Sequence, residues 1–287
     1  MTSRRLVIVL LLTASSAAPS VVWAQDSSGA TAKAAAAQPD DDPDRDINFA
    51  QPDFTLVALP TTLRLPRFKS AFRVTHRFGR PLGAGDFGDL VEDLFGLDSG
   101  ALIGLEYRFG LFRGAQVGIH RTSNRTIQFF GTYDVRNQRN GSPFGLAVMG
   151  SAEGTNNFRD SYSPGVGVLL SREFGERGAA YLEPFWVNNT NELPEELVDD
   201  NDTVIIGVGG RLRVRPTVYL VVEAAPRVTG YDPGVTHVSV GVEKRLGGHA
   251  FQINFSNGFG TTLAQVARGG FNSDDWYLGF NISRKFF

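Results

Sequence analysis

Cysteine is absent from the 287 residues of this chain, and methionine occurs only twice. The missing thiol excludes disulfides, thiolate zinc sites, cysteine nucleophiles and lipid attachment through an N-terminal cysteine. It is compatible with export, where a stray thiol is a liability. Charge of one sign is also lacking: 28 Lys and Arg face 30 Asp and Glu, a net charge of -2, so no field favours nucleic acid. Long apolar runs are missing too, since no segment approaches the roughly 20 residues a transmembrane helix needs. A membrane location must therefore come from strands. What is abundant points the same way, because 33 glycines and 22 phenylalanines suit strands and turns better than helices.

Arg4 and Arg5 precede the apolar run Leu6 to Leu12, and Val22-Trp23-Ala24 closes the segment. That order is expected of a secretory signal peptide over residues 1–24, cleaved after Ala24. Residues 25–52, rich in Ala, Asp, Ser and Pro, read as a flexible periplasmic linker, with an interaction tail as the alternative. The remainder, 53–287, is expected to form the folded domain.

From Ser70 onward the chain divides into about twelve alternating segments of about ten residues, with 10–14 strands admissible. Ile103, Leu105, Tyr107 and Phe109 oppose Gly104, Glu106 and Arg108; Phe251, Ile253 and Phe255 oppose Gln252, Asn254 and Ser256. Ten residues is the length at which a tilted strand crosses a bilayer. A soluble sandwich would alternate as well, so the connections must discriminate. Those after even strands are short ("GLFRG", "NQRNGS", "GERG", "RP", "GG"), and five of the six after odd strands are long. Short turns on one side and long loops on the other are the pattern of an all-β, single transmembrane antiparallel barrel in the bacterial outer membrane. Its closing strand should carry an aromatic interface anchor, Phe286 or Phe287. Pro184, in mid-strand, predicts a bulge.

The stretches "SAFRVTHRFGRPL", "FGLDSGALIGLEYRFG", "IIGVGGRLRV", "GGHAFQINFSNGFG" and "GFNISRKF" resemble a bacterial β-barrel family known as a domain of unknown function (DUF5777). They run from about Leu59 to Phe286. The resemblance implies an outer-membrane barrel and carries no activity. Bacterial outer-membrane proteins resemble one another in ending on an aromatic residue, a feature associated with the barrel-assembly machinery. The expected surroundings are therefore that machinery during biogenesis, outer-membrane lipid, and a small solute if the barrel conducts.

No motif supports catalysis. A lipase-like group of His120, Ser123 and Asn124 can be drawn, but strand neighbours point to opposite faces, and the chain is read as a non-enzyme without cofactor or metal. His249, beside Gly247-Gly248, reads as a turn residue. The acidic loops at 86–98 and 192–202 read as an amphipathic mouth helix or a cation site, without the spacing of a calcium loop. The inward phase carries Glu106, Arg108, Asp134, Arg136, Glu183, Arg211, Arg213, Glu223 and Glu243. In an open barrel these would line a narrow pore for small solutes. In a filled one they would form a network within a non-conducting barrel that presents its loops. A membrane-embedded hydrolase is the third reading.

Overall fold

The structure, a computed structural model, describes residues 43–96, 99–193, 196–198 and 201–287. The expected signal peptide, and the linker as far as residue 42, lie outside the described residues. Thirteen strands form one antiparallel sheet. In chain order they are β1 (Ser70–Pro81), β2 (Ala101–Phe112), β3 (Ala115–Thr122), β4 (Ile127–Arg136), β5 (Gly145–Gly154) and β6 (Asp160–Glu173). There follow β7 (Gly178–Val187), β8 (Thr203–Arg215), β9 (Val218–Ala225), β10 (Arg227–Thr229), β11 (His237–Leu246), β12 (His249–Ser256) and β13 (Tyr277–Phe286). Twelve of them close a barrel: β1 pairs with β13 through Val74 and Ile282, and β8 pairs with β9 through Leu212 and Leu220. The extra strand, β10, is three residues long and pairs with β8 beyond the end of β9. Closure leaves none of the twelve barrel strands with an unpaired edge, which a bilayer would not tolerate.

Alternation sets the two faces. On β12, Ala250, Gln252, Asn254 and Ser256 are buried while Phe251, Ile253 and Phe255 are exposed. Leu220, Val222, Val240 and Val242 repeat the pattern on β9 and β11. An apolar belt of this extent would aggregate in water and is satisfied in hydrocarbon. The turns after β2, β4, β6, β8 and β11 sit at the end of the barrel that carries Ser70 and Phe286 (the turn end). The longest connections, after β1, β7, β9 and β12, sit at the other (the loop end), together with short ones after β3 and β5, the latter expected to be long. The bulge expected at Pro184 is not present. Pairing runs in register on both sides of it, Gly167 with Phe185 and Leu170 with Leu182 on β6, and Pro184 with Ile206 on β8. Its ring points outward, so it only leaves one ladder bond unmade.

The lumen is not left to water. Residues from Ala50 to Pro66 are buried apart from Ala58 and Arg64, and they enter from the turn end. A tight hairpin bridges Thr55 to Pro60, with Leu56 N–H donating to Leu59 O (2.8 Å) and Thr61 N–H to Phe54 O (2.9 Å). The end of the segment read as a linker, from Ala50, is thus buried in the lumen together with the residues up to Pro66 that precede the first strand. The barrel supplies partners for the polar groups of this segment. The Asn48 amide oxygen accepts from Ala50 and Gln51 N–H, and both amide nitrogens, of Asn48 and Gln51, donate to Glu173 Oε1. From the loop end the connection after β12 also folds inward. Its helix, α2 (Leu263–Ala267), has all five residues buried and meets the hairpin in mid-lumen. Helix α1 (Phe87–Glu92) lies in the first acidic loop and has no buried residue, so it does not enter the barrel. A capping box holds it, Asp86 accepting from Asp89 N–H (3.1 Å) and Asp89 from Asp86 N–H (2.9 Å).

Candidate functional site in the barrel lumen

The inner wall has two characters. Met149 on β5, Leu169 on β6, Phe185 on β7 and Ile205 on β8 pack with Leu56, Leu59, Leu263 and Val266 in one apolar cluster. Two glycines on β8 make room for the hairpin. A Cβ on Gly207 would lie 3.1 Å from Leu59 Cδ1, and one on Gly209 would collide with Leu56 Cδ1. The opposite wall, β11 through β13 and on to β3, is polar and binds the hairpin's backbone. Arg211 on β8, at the seam between the walls, donates to Thr55 O (2.6 Å). Gln252 donates to Leu56 O (2.9 Å) and Asn281 to Val57 O (2.9 Å).

The hairpin tip ends on a carboxylate. Glu223 accepts the N–H groups of Val57 (2.9 Å), Ala58 (2.9 Å) and Leu59 (3.0 Å), three successive donors that form an anion-binding nest. Charge-assisted bonds of this kind contribute roughly 1.5–3 kcal/mol each. Behind it, Glu223 Oε1 lies 3.2 Å from His237 Nε2, which is 3.0 Å from Ser239 Oγ. Two ion-pair groups flank the tip. Arg73 meets Glu106 at 2.8 Å, with Arg108 on the other oxygen of the same carboxylate, and Arg211 meets Glu243 at 2.9 Å. Each is buried and hydrogen-bonded, the condition under which such pairs are tolerated.

Three cavities lie along the polar wall. At the turn end about 280 Å³ is lined by Leu63, Arg245, Ser283, Lys285 and Phe287. At the loop end about 440 Å³ lies between β1–β2 and the loop that carries α2. Between them a gap of about 20 Å³ lies beside Arg73, Glu106, Arg108 and Gln128 under the hairpin.

Glu106, Arg108, Asp134, Glu183, Arg211, Glu223 and Glu243 all face inward and are buried. Arg136 does not: the register shifts between Asp134 and Arg136, and its side chain is exposed at the turn end. Arg213 lies at the rim, bonded to Glu176 of the β6–β7 turn (2.9 Å) and stacked over Phe49 (4.5 Å). Glu183 is fully buried, and among the described residues neither of its oxygens has a hydrogen-bond partner. Gln252 and Asn281, on the inward phase of their strands, belong to the same wall, as do Arg73, Arg77 and His120, which the expected lumen set lacks; for Arg73 and Arg77 the phase of β1, with Thr75 on the same face, is the available signal. The His120, Ser123, Asn124 group does not assemble. His120 sits in the lumen 3.9 Å from Glu106, whereas Ser123 Oγ accepts from Ile103 N–H and Asn124 from Thr122. Phe286 lies in the outward phase and Phe287 lines the turn-end cavity, while His249 opens β12 stacked on Phe251 (5.8 Å).

A closed barrel with an apolar exterior matches the model of one family, the membrane bound beta barrel domain (DUF5777), over residues 53–286. The chain belongs to this family. No curated protein matches it. Among solved structures the DUF5777 barrel is similar to the outer membrane protein Omp33 of Acinetobacter baumannii, at 10% identity over 76% of this chain and 98% of that one, with a TM-score of 0.46. An outer membrane channel from Pseudomonas putida F1 gives 11% identity over 78% and 97%, with a TM-score of 0.46. A triple mutant of the Rhodopseudomonas blastica porin gives 14% identity over 64% of this chain and a TM-score of 0.34, and the match spans only 55% of that porin's length.

Proposed function

We propose that this protein is an outer-membrane channel for small solutes that its own N-terminal hairpin holds closed. One observation supports the reading: the polar wall has a cavity at each end, about 280 and 440 Å³, with a gap of about 20 Å³ between them where the hairpin tip sits. That gap takes about one water molecule. Withdrawal of the hairpin toward the turn end would join the cavities past Arg73, Glu106 and Arg108, a mixed-sign constriction that favours weak ion selectivity. In this reading residues 1–24 direct export, outer-membrane lipid covers the apolar belt, and the terminal strand with Phe286 is what the barrel-assembly machinery engages.

The test is conductance of the refolded protein in a planar bilayer. The full chain should be silent or open rarely, and Glu223→Ala should open in discrete steps. Thr62 Oγ1 and Ser171 Oγ lie 2.5 Å apart, and the chain has no cysteine of its own, so Thr62→Cys with Ser171→Cys supplies a lock. Added to Glu223→Ala, the lock should silence the channel when oxidised and restore it when reduced. Silence of folded Glu223→Ala under both conditions sinks the reading. It would favour a filled, non-conducting barrel that presents its loops, which the apolar half of the inner wall supports.

A further inference from the structure

We propose that the loop-end cavity is a binding site for a neutral, hydroxyl-rich solute of mono- to disaccharide size. The connection after β12 folds back so that α2 packs on the apolar wall. Its return strand then ties to Val235, with Val235 N–H donating to Gly270 O (3.0 Å) and Gly270 N–H to Val235 O (2.8 Å). Fixed on that side, the loop stands away from β1 and β2 and leaves about 440 Å³ between them. Such a volume is within the usual range of small-molecule sites, roughly 300–1,000 Å³.

The lining specifies the class. Asn124 and Gln265 line it; their amide oxygens already accept from Thr122 Oγ1 and Thr261 N–H, which leaves the amide nitrogens to donate to a hydroxyl oxygen. Arg268 and Glu192 are already paired at 2.7 Å, and Arg268 Nε also donates to Thr190 O (2.8 Å). The charges therefore cancel within the site, and an ionic solute would leave one of them uncompensated. Phe259 and Phe271 supply an apolar surface for the C–H face of a ring. Phe259 is held rigid by edge contacts to Phe271 (5.0 Å) and Tyr277 (4.6 Å), so little ordering cost attaches to binding. Hydrogen-bonding groups around an aromatic wall with no net charge suit a sugar better than an amino acid or a phosphate.

The site rests on the channel reading only in being its entrance; binding itself needs no conduction. The experiment uses the full chain refolded in lauryldimethylamine oxide, a detergent without a sugar headgroup. Saturation-transfer difference NMR and calorimetry follow glucose, maltose, and the charged probes gluconate and glucosamine. Saturable binding of glucose or maltose is expected, weakened tenfold or more by Glu192→Gln and by Asn124→Ala, and unchanged by Arg136→Gln at the far end. Glu192 is half-exposed, so its variant keeps the test valid if Asn124→Ala fails to fold. No saturable signal from either neutral sugar, stronger binding of a charged probe, or equal binding by both variants overturns the assignment. Binding retained by a barrel that never conducts overturns the channel and leaves the site. Conduction without binding does the reverse.

Discussion

From β5 to β8 the inner wall meets the hairpin with Met149, Leu169, Phe185 and Ile205, whereas from β11 round to β3 it meets the same hairpin with Gln252, Asn281 and Arg73, the last held by Glu106. One side excludes water from Leu56 and Leu59, and the other satisfies the backbone groups that this exclusion strands. A water-filled pore is polar all round. The division between the walls follows the amphipathic cross-section of what they enclose, and it shows that the N-terminal segment and the barrel interior specify each other.

The comparison is broken most severely by removing one member of a fully buried group on either wall. Arg211→Met leaves Glu243 unpaired and should cost about 3–5 kcal/mol in urea unfolding from lipid vesicles, most of it recovered in Arg211→Met with Glu243→Leu. Phe185→Ala, on the apolar wall, should cost a similar ~3–5 kcal/mol but show no recovery by any polar partner change. If both variants unfold like the parent, the two walls do not hold the hairpin as described. On the outer face, Phe280→Arg should cost roughly 2–4 kcal/mol if the residue meets the bilayer midplane, and normal stability of that variant would contradict the phase of β13. Glu223→Gln keeps the shape of the latch and removes its charge, so a loss of about 1–3 kcal/mol is expected. Proteolysis at the hairpin should accelerate with it, and unchanged protection would mean that the nest is not what retains the tip. The smallest effect is expected at the rim: Glu176→Gln breaks the half-exposed pair with Arg213 and should change stability by no more than about 1 kcal/mol.

How much of this was legible varies along the chain. The period-two pattern of β2, β9, β11 and β12 is local, and side chains two residues apart must share a face, so strand positions, strand number and the placing of the longest connections at one end follow from the residues themselves. Most inward charges follow from the same phase. Arg136 and Arg213 escaped it because register breaks and strand ends release side chains from the alternation. The hairpin could not be seen. In "DFTLVALPTT" no period or turn motif announces a plug, and the groups that hold it stand far away in sequence: Glu223 is 166 residues from Val57, Gln252 is 196 from Leu56 and Asn281 is 224 from Val57.

By itself, then, the sequence determined that the chain is a twelve-stranded antiparallel membrane barrel with an apolar belt and a charged interior, because those properties depend on neighbours along a strand. That the N-terminal hairpin enters that interior was decided only by tertiary structure. Filling a lumen requires a segment whose apolar side chains fit one wall and whose backbone groups meet the other, and that match exists only once closure has brought β1 beside β13 and Glu223 over the tip at Ala58.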